Sequence, residues 1–268
     1  GADPAPVMKL VTHRGIPQAA VVVSEVEPMK MMATVRDSVR PTAGGLQIAF
    51  SSYLCTMGFP NYRGSTLGFA TNSHCTNVQG GVENTSYYQP STSSSNYHIG
   101  YEYADPAYWT GLGCPTGRRC RYSDMALASF DSGVSVDFGR IVRTTSRGTA
   151  SGSITIDSAN PRFNIIGEAA YPVAGETLQK IGRTTGWTYG QVTNTCADTN
   201  VSGSNITLLC QDYVRAGVGP GDSGSPVFAW NGGSDITLYG LLWGGGTNTF
   251  AFSAMSNIEY ELGDLVTH

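Results

Sequence analysis

From Arg40 onward the apolar residues come in short runs that Gly, Asn, Ser and Pro keep interrupting. Runs of this kind are long enough for a strand and too short for a packed helix. Thr66–Thr71, Ser153–Asp157, Ile206–Cys210, Ser225–Trp230 and Ile236–Trp243 read this way. The last two flank Asn231-Gly232-Gly233-Ser234-Asp235, a composition suited to a hairpin. Only near the end does a helical period appear. Met255, Ile258, Leu262 and Leu265 recur at spacings of three and four, with Ser253 or Ser256 as N-cap. The pattern predicts an all-β body, barrels or a sandwich, closed by a C-terminal helix.

The composition excludes several function classes. A net charge of -4 provides no basic field for nucleic acid, and no cationic amphipathic stretch suits a membrane surface. The best apolar run, Ala19 to Val23, is far too short to span a bilayer. The start lacks a basic segment followed by an apolar one, so the chain reads as a mature or trimmed product. Its 6 Cys, at 55, 75, 114, 120, 196 and 210, include no CxxC pair, and there are only 4 His. Disulfides and an extracellular, secreted location are expected, with no metal and no cofactor. Residues 1–39 differ from the rest in being Met-rich and poor in turn signals, with mixed helical character over Ser24 to Val39.

Chemistry concentrates in Gly219-Pro220-Gly221-Asp222-Ser223-Gly224-Ser225-Pro226. A serine hydroxyl needs a base and an oxyanion stabiliser to act as a nucleophile. Glycines on both sides of Ser223 allow a turn tight enough to aim the amides of Gly221 and Ser223 at one point. The base is sought at the end of a strand-like run, where Thr66–Thr71 leads into Asn72-Ser73-His74-Cys75. His98 sits in a polar stretch without such a frame. A carboxylate must then fix the imidazole tautomer. Asp124 heads the apolar run Met125–Ala128; its competitor is Asp105, which Pro106 and a Tyr-rich context place in an exposed turn. Asp131 and Asp137 lie in ordinary turns.

The order His74, Asp124, Ser223, with the GDSG, SDMAL and NSHC segments, resembles the chymotrypsin-like serine peptidases. Gly182-Arg183-Thr184-Thr185-Gly186-Trp187-Thr188, Pro220, Thr249-Phe250 and the Ala43–Cys55 stretch resemble the bacterial streptogrisin-type branch. The resemblance covers roughly Arg40 to Gly263. It implies two six-stranded antiparallel β-barrels with the site between them, His74 and Asp124 from the first and Ser223 from the second. The expected division is an extension or propeptide remnant at 1–39, a first barrel at 40–145, and a second barrel with the helix at 146–268. The resemblance implies pairing of Cys55 with Cys75 and of Cys196 with Cys210, which leaves Cys114 with Cys120.

The same resemblance places Gly217 and Val218 at the floor of the primary pocket and Leu242, Trp243 and Gly244 along the substrate strand. No acidic residue stands at the floor, so the expected substrate is a protein or peptide with an apolar or aromatic residue, rather than Lys or Arg, before the cleaved bond. A secreted, monomeric serine endopeptidase working through an acyl-enzyme is the leading expectation. A non-catalytic binding or adhesion protein on the same scaffold is the alternative, motivated by two departures from the family pattern. Leu242 replaces a Ser that bonds the triad carboxylate, so Asp124 is expected to lose a partner. The chain also continues upstream of Gly44, so Asp222 needs an internal cation in place of a freed amine, with Lys180 and Arg183 as candidates.

Overall fold

The computed structural model describes residues 3–24 and 32–268. It forms two compact units, Gly1–Met32 and Ala33–His268. The first contains a helix, Ala5–His13, with Pro at its start and no buried residue, and a 3-10 turn at Gln18–Ala20. The helical character expected over Ser24 to Val39 falls partly on 25–31, outside the described residues. Thr34 to Asp37 form a turn that the Asp37 carboxylate closes by accepting from the Thr34 amide at 2.7 Å.

The larger unit is built from two curled sheets. One has seven strands in the order Tyr53–Thr56, Gln47–Phe50, Ser86–Tyr88, His98–Ala104, Met125–Phe130, Thr66–Asn72 and Pro60–Arg63. The other has eleven, and six of them close on themselves. Asp235–Gly246, Pro226–Gly232, Thr177–Gly182, Gly186–Asn200, Ile206–Val214 and Thr249–Ala254 pair antiparallel in that circuit, the last returning to the first. Five further strands hang on this barrel. Among them are Thr42–Gly44 and Val136–Val142, which reach it through Arg162–Glu168 although both precede residue 146. The eleven-stranded sheet exceeds six because Arg147–Gly148, Arg162–Glu168 and Arg119–Arg121 pair in parallel with barrel strands, and Arg162–Glu168 in turn carries Val136–Val142 and Thr42–Gly44. Ser153–Asp157, expected as a strand, makes only isolated bridges at Thr155 and Ile156.

Strand alternation sorts the apolar side chains into three clusters. Ile48, Phe50, Met57, Phe69 and Tyr87 fill the first sheet. Leu178, Val214, Val227, Leu242, Phe250 and Phe252 fill the second. The third cluster joins the two, with Phe59, Ala70 and Leu127 meeting Leu241 and Ile258. Phe69 and Ala70 are consecutive and fall in different clusters, as neighbours on a strand must. The C-terminal helix spans Met255–Leu262 and buries Met255, Ile258 and Leu262 at the expected spacing. Neither Ser253 nor Ser256 caps it: its N-cap is Ala254, and the Ser253 hydroxyl is committed to Gln211.

The joining cluster also includes Val35, which is 0% exposed. Its amide donates to Ile154 O and its carbonyl accepts from the Gln47 amide, so residues 33–39 are part of the packed body. Val35→Ala should therefore lower unfolding free energy by about 2 kcal/mol, the scale of removing methyl groups from a closed core. Denaturant titration measures this, and an unchanged midpoint would show that the segment is not packed.

Candidate active site

Two antiparallel strands bring His74 and Asp124 together. Asn72 stands opposite Met125 in the pairing of Thr66–Asn72 with Met125–Phe130. The Ser73 amide and the Asn72 side-chain amide both donate to Asp124 O, each at 2.9 Å. His74 follows in a short 3-10 turn, Ser73–Cys75, tied back by the Cys55–Cys75 disulfide. Its Nδ1 hydrogen-bonds Asp124 Oδ2. Burial opposes the imidazolium, but the charge and hydrogen bond of Asp124 together outweigh it, so the His74 pKa is raised above 6.5.

Asp124 is 2% exposed, and a buried carboxylate needs donors for both oxygens. The partner expected to be lost at Leu242 is made good elsewhere. Gln79 Nε2 donates to Asp124 Oδ1 at 3.2 Å, and the same nitrogen donates to Tyr108 Oη at 2.7 Å. The Leu242 side chain instead packs in the second barrel's apolar cluster. Its backbone braces the serine turn, accepting from the Gly224 amide and donating to Ser225 O, both at 2.9 Å. The Asp124 amide donates to Ser253 Oγ, which donates to Gln211 Oε1 at 2.8 Å; Trp243 Nε1 donates to that same oxygen.

Asp105 is not in an exposed turn. It is 5% exposed, takes Arg121 Nη1 at 2.6 Å, and accepts from Ser73 Oγ and the Gly80 amide at 2.7 and 2.9 Å. The turn is buried because Arg121, itself 0% exposed, supplies a charge partner that proximity in sequence does not reveal. Asp105 thus holds the His74 turn from behind, and Asp124 alone of the two reaches the imidazole. The Gly-rich context of Asp131 conceals a contact as well, with His98 Nδ1 at 2.5 Å.

Ser223 lies on a turn whose geometry is set by Asp222. Both Asp222 and Lys180 are 0% exposed, with Lys180 Nζ 2.9 Å from Asp222 Oδ2. The carboxylate also accepts from the Thr184 and Gly219 amides and from Thr185 Oγ1. Burial works against ionising Asp222, yet Lys180 and these donors hold its pKa below the usual carboxylate value. Lys180 is therefore the internal cation, and Arg183 is not. Gly221 adopts φ 94, open to glycine, and its carbonyl accepts from Thr56 Oγ1 at 2.9 Å. Ser223 O accepts from the Thr56 amide at 2.8 Å. Among the described residues, neither the Gly221 nor the Ser223 amide donates to a protein acceptor.

Two cavities share the strand end Gly244 to Gly246, and the smaller of them borders Ser223. The smaller one, about 330 Å³, is bounded by Val218, Pro220, Ser223, Leu242 and Gly244 to Gly246. Gly217 lies outside that lining, its carbonyl accepting from Thr188 Oγ1 at 2.9 Å and its amide donating to Thr149 O. A larger cavity, about 610 Å³, is bounded by His74, Gln79, Tyr213, Trp243 and the hairpin tip at Thr199 to Ser202. Disulfides Cys114–Cys120 and Cys196–Cys210 complete the set.

The architecture is the chymotrypsin-like fold. Three bacterial-type proteases of that fold superimpose over nearly their whole length. Protease A from Thermobifida fusca is 22% identical, with 84% of this chain and 98% of that one covered, at TM-score 0.59. Cellulomonas bogoriensis chymotrypsin is 20% identical, with coverage of 84% and 97%, at TM-score 0.56. A glutamic acid specific serine protease, described as using a histidine triad in substrate binding, is 23% identical, with coverage of 85% and 100%, at TM-score 0.57. No family model and no curated protein sequence matches the chain.

Gln79 escaped the sequence reading because nothing in Gln79-Gly80-Gly81 marks a side chain that turns back to a strand end. Lys180→Met should cost about 3–5 kcal/mol, as expected when a buried carboxylate loses its cation. Thermal or urea unfolding checks it; a near-neutral result would mean that Asp222 is satisfied by its neutral donors alone.

Proposed function

We propose that the chain is a serine endopeptidase that cleaves peptide bonds through an acyl-enzyme on Ser223. The observation that carries this reading is the bond from the Thr56 amide to Ser223 O, because Thr56 follows Cys55, whose disulfide to Cys75 holds the His74 turn. It ties the strand beside the His74–Asp124 pair to the Ser223 turn, where the Gly221 and Ser223 amides donate to no acceptor among the described residues. In this reading His74 Nε2 takes the Ser223 proton as the hydroxyl attacks the carbonyl carbon. The Gly221 and Ser223 amides receive the oxyanion, and His74 returns the proton to the leaving amine. Water then repeats the sequence to release the acid. Asp124 keeps the imidazole in register and stabilises its charged form.

The smaller cavity supports a preference for an apolar or aromatic residue before the cleaved bond, since its lining carries no titratable side chain. None of the four His borders it, so the glutamate preference stated for one fold neighbour is not assigned here. The wall Leu242-Trp243-Gly244 would pair with the substrate backbone as an added strand. The disulfides suit an extracellular protein, and among the described residues no helix is long and apolar enough to cross a membrane. Secretion is part of the proposal.

A fluorophosphonate should label Ser223 in folded wild type and leave Ser223→Ala unlabelled. Absence of labelling in folded wild type would sink the enzyme reading in favour of a binding protein on the scaffold. The general base must be neutral, so kcat/KM should rise with pH through a midpoint above 6.5, the direction of the His74 shift. Asp124→Asn removes the charge that raises this pKa, leaving burial to act alone. The midpoint should move down while the rate falls by roughly 10⁴, a scale known from triad carboxylates. Gln79→Ala should lower kcat by about tenfold with little change in KM, since the lost bond holds the base assembly rather than the substrate.

A further inference from the structure

An acyl half paired with Trp243 and Gly244 lies on the side of Ser223 that carries the smaller cavity, whose lining includes Gly244. The leaving half then crosses the other side of the turn, where Thr56 and Arg183 meet Gly221 and Gln47 holds Arg183. The Arg183 amide donates to Thr56 Oγ1 at 3.1 Å, and its Nε donates to Gln47 Oε1 at 2.6 Å. The guanidinium lies against the oxyanion glycine: a Cβ placed on Gly221 would meet Arg183 Nη1 at 2.6 Å. A second guanidinium reaches the backbone of the same residue. Arg36 Nε donates to Arg183 O at 2.7 Å, while the Arg36 side chain stays exposed. Among the described residues neither arginine forms an ion pair. Asp222, the carboxylate nearest in sequence to Gly221, is held by Lys180, and Asp37 is held by the Thr34 amide and hydroxyl.

Arg183 registers the like charge: burial and then Arg36 disfavour its ionised form, and the nearby Asp222 charge only partly offsets them. An anion between them would relieve that repulsion, and a planar guanidinium suits a carboxylate. Arg36 belongs to the 33–39 segment that Val35 anchors, so its backbone is fixed relative to the cleft.

Building on the endopeptidase reading, we propose that Arg36 and Arg183 form a subsite for a carboxylate on the leaving-group side of the cleaved bond. Its ligand is an acidic side chain in the first two or three residues after that bond. The pair determines specificity and takes no part in proton transfer.

The test uses the full chain and peptides identical up to the cleaved bond, carrying Glu, Gln or Lys at each of the next three positions. Each peptide is made with a free and with an amidated C-terminus. The readout is the ratio of kcat/KM for Glu to that for Gln, which cancels any general loss of rate. Wild type should favour Glu by roughly fivefold to tenfold, the scale of one or two part-exposed charge pairs. The ratio should shrink as salt is raised, because exposed pairs are screened. Arg36→Gln should bring it towards one, and Arg36→Glu should invert it in favour of Lys. A gain confined to free C-termini would keep the carboxylate subsite and assign it to the chain end. Turnover with no Glu preference at any position, or a preference unmoved by salt and by Arg36→Gln, overturns the proposal while the peptidase stands. No turnover of any peptide together with no fluorophosphonate labelling overturns both.

Discussion

A single buried ion pair fixes the part of the molecule on which the chemistry turns. Asp222 and Lys180 are both fully enclosed, which neither charge would tolerate alone. Their contact ties the strand Thr177–Gly182 to the loop that carries Ser223. The same carboxylate collects the amides of Gly219, Thr184 and Thr185, so the loop has little freedom left. That rigidity is what allows the Gly221 and Ser223 amides to stand without an acceptor among the described residues. A flexible loop would turn such donors toward its own carbonyls. On the endopeptidase reading, oxyanion stabilisation requires dipoles oriented before the reaction, and the fold supplies that orientation.

The base side is held in a parallel manner by different means. His74 sits on a turn gripped from three directions: the Cys55 disulfide, the backbone of Asp124, and the Asp105–Arg121 pair acting through Ser73 and Gly80. Arg121 also donates to Met125 O, so one cation braces both the turn bearing the base and the strand following Asp124. Asp105 and Asp124 are both buried carboxylates near the imidazole, and their roles divide by reach. One fixes the position of the turn; the other touches the ring.

Some of this was legible in the sequence and some was not. Short apolar runs broken by turn residues and the GDSG turn are local signals, and the β architecture and the Ser223 segment follow from them. The His74 and Asp124 segments could be read because each marks a strand end. Choosing between Lys180 and Arg183 needed the register of Thr177–Gly182 against Pro226–Gly232 and Gly186–Asn200, which buries Lys180 and leaves Arg183 beyond the strand end. The Pro and Tyr neighbours of Asp105 suggest exposure, whereas Arg121, remote in sequence, decides its burial. Gln79 and Gln211 carry no sequence signal at all. Amides are common on surfaces, and only the folded chain shows these two turned inward onto Asp124 and Ser253.

Leu242 shows how a departure from a family pattern can be absorbed. A leucine there cannot donate to Asp124, and taken alone it suggests a weakened carboxylate. Its side chain, however, adds to the apolar filling beside Phe250 and Phe252, while its backbone bonds Gly224 and Ser225. The missing donor arrives from the opposite barrel, in Gln79, steadied by Tyr108. Support for the carboxylate has thus moved from the serine side of the cleft to the histidine side. On the endopeptidase reading, the base and its orienting group are then held by the seven-stranded sheet and the nucleophile by the closed barrel. Their alignment depends on the apolar cluster between the barrels, where Phe59 and Leu127 meet Leu241 and Ile258. Loss of packing there would misplace Ser223 against His74 without touching any residue that reacts.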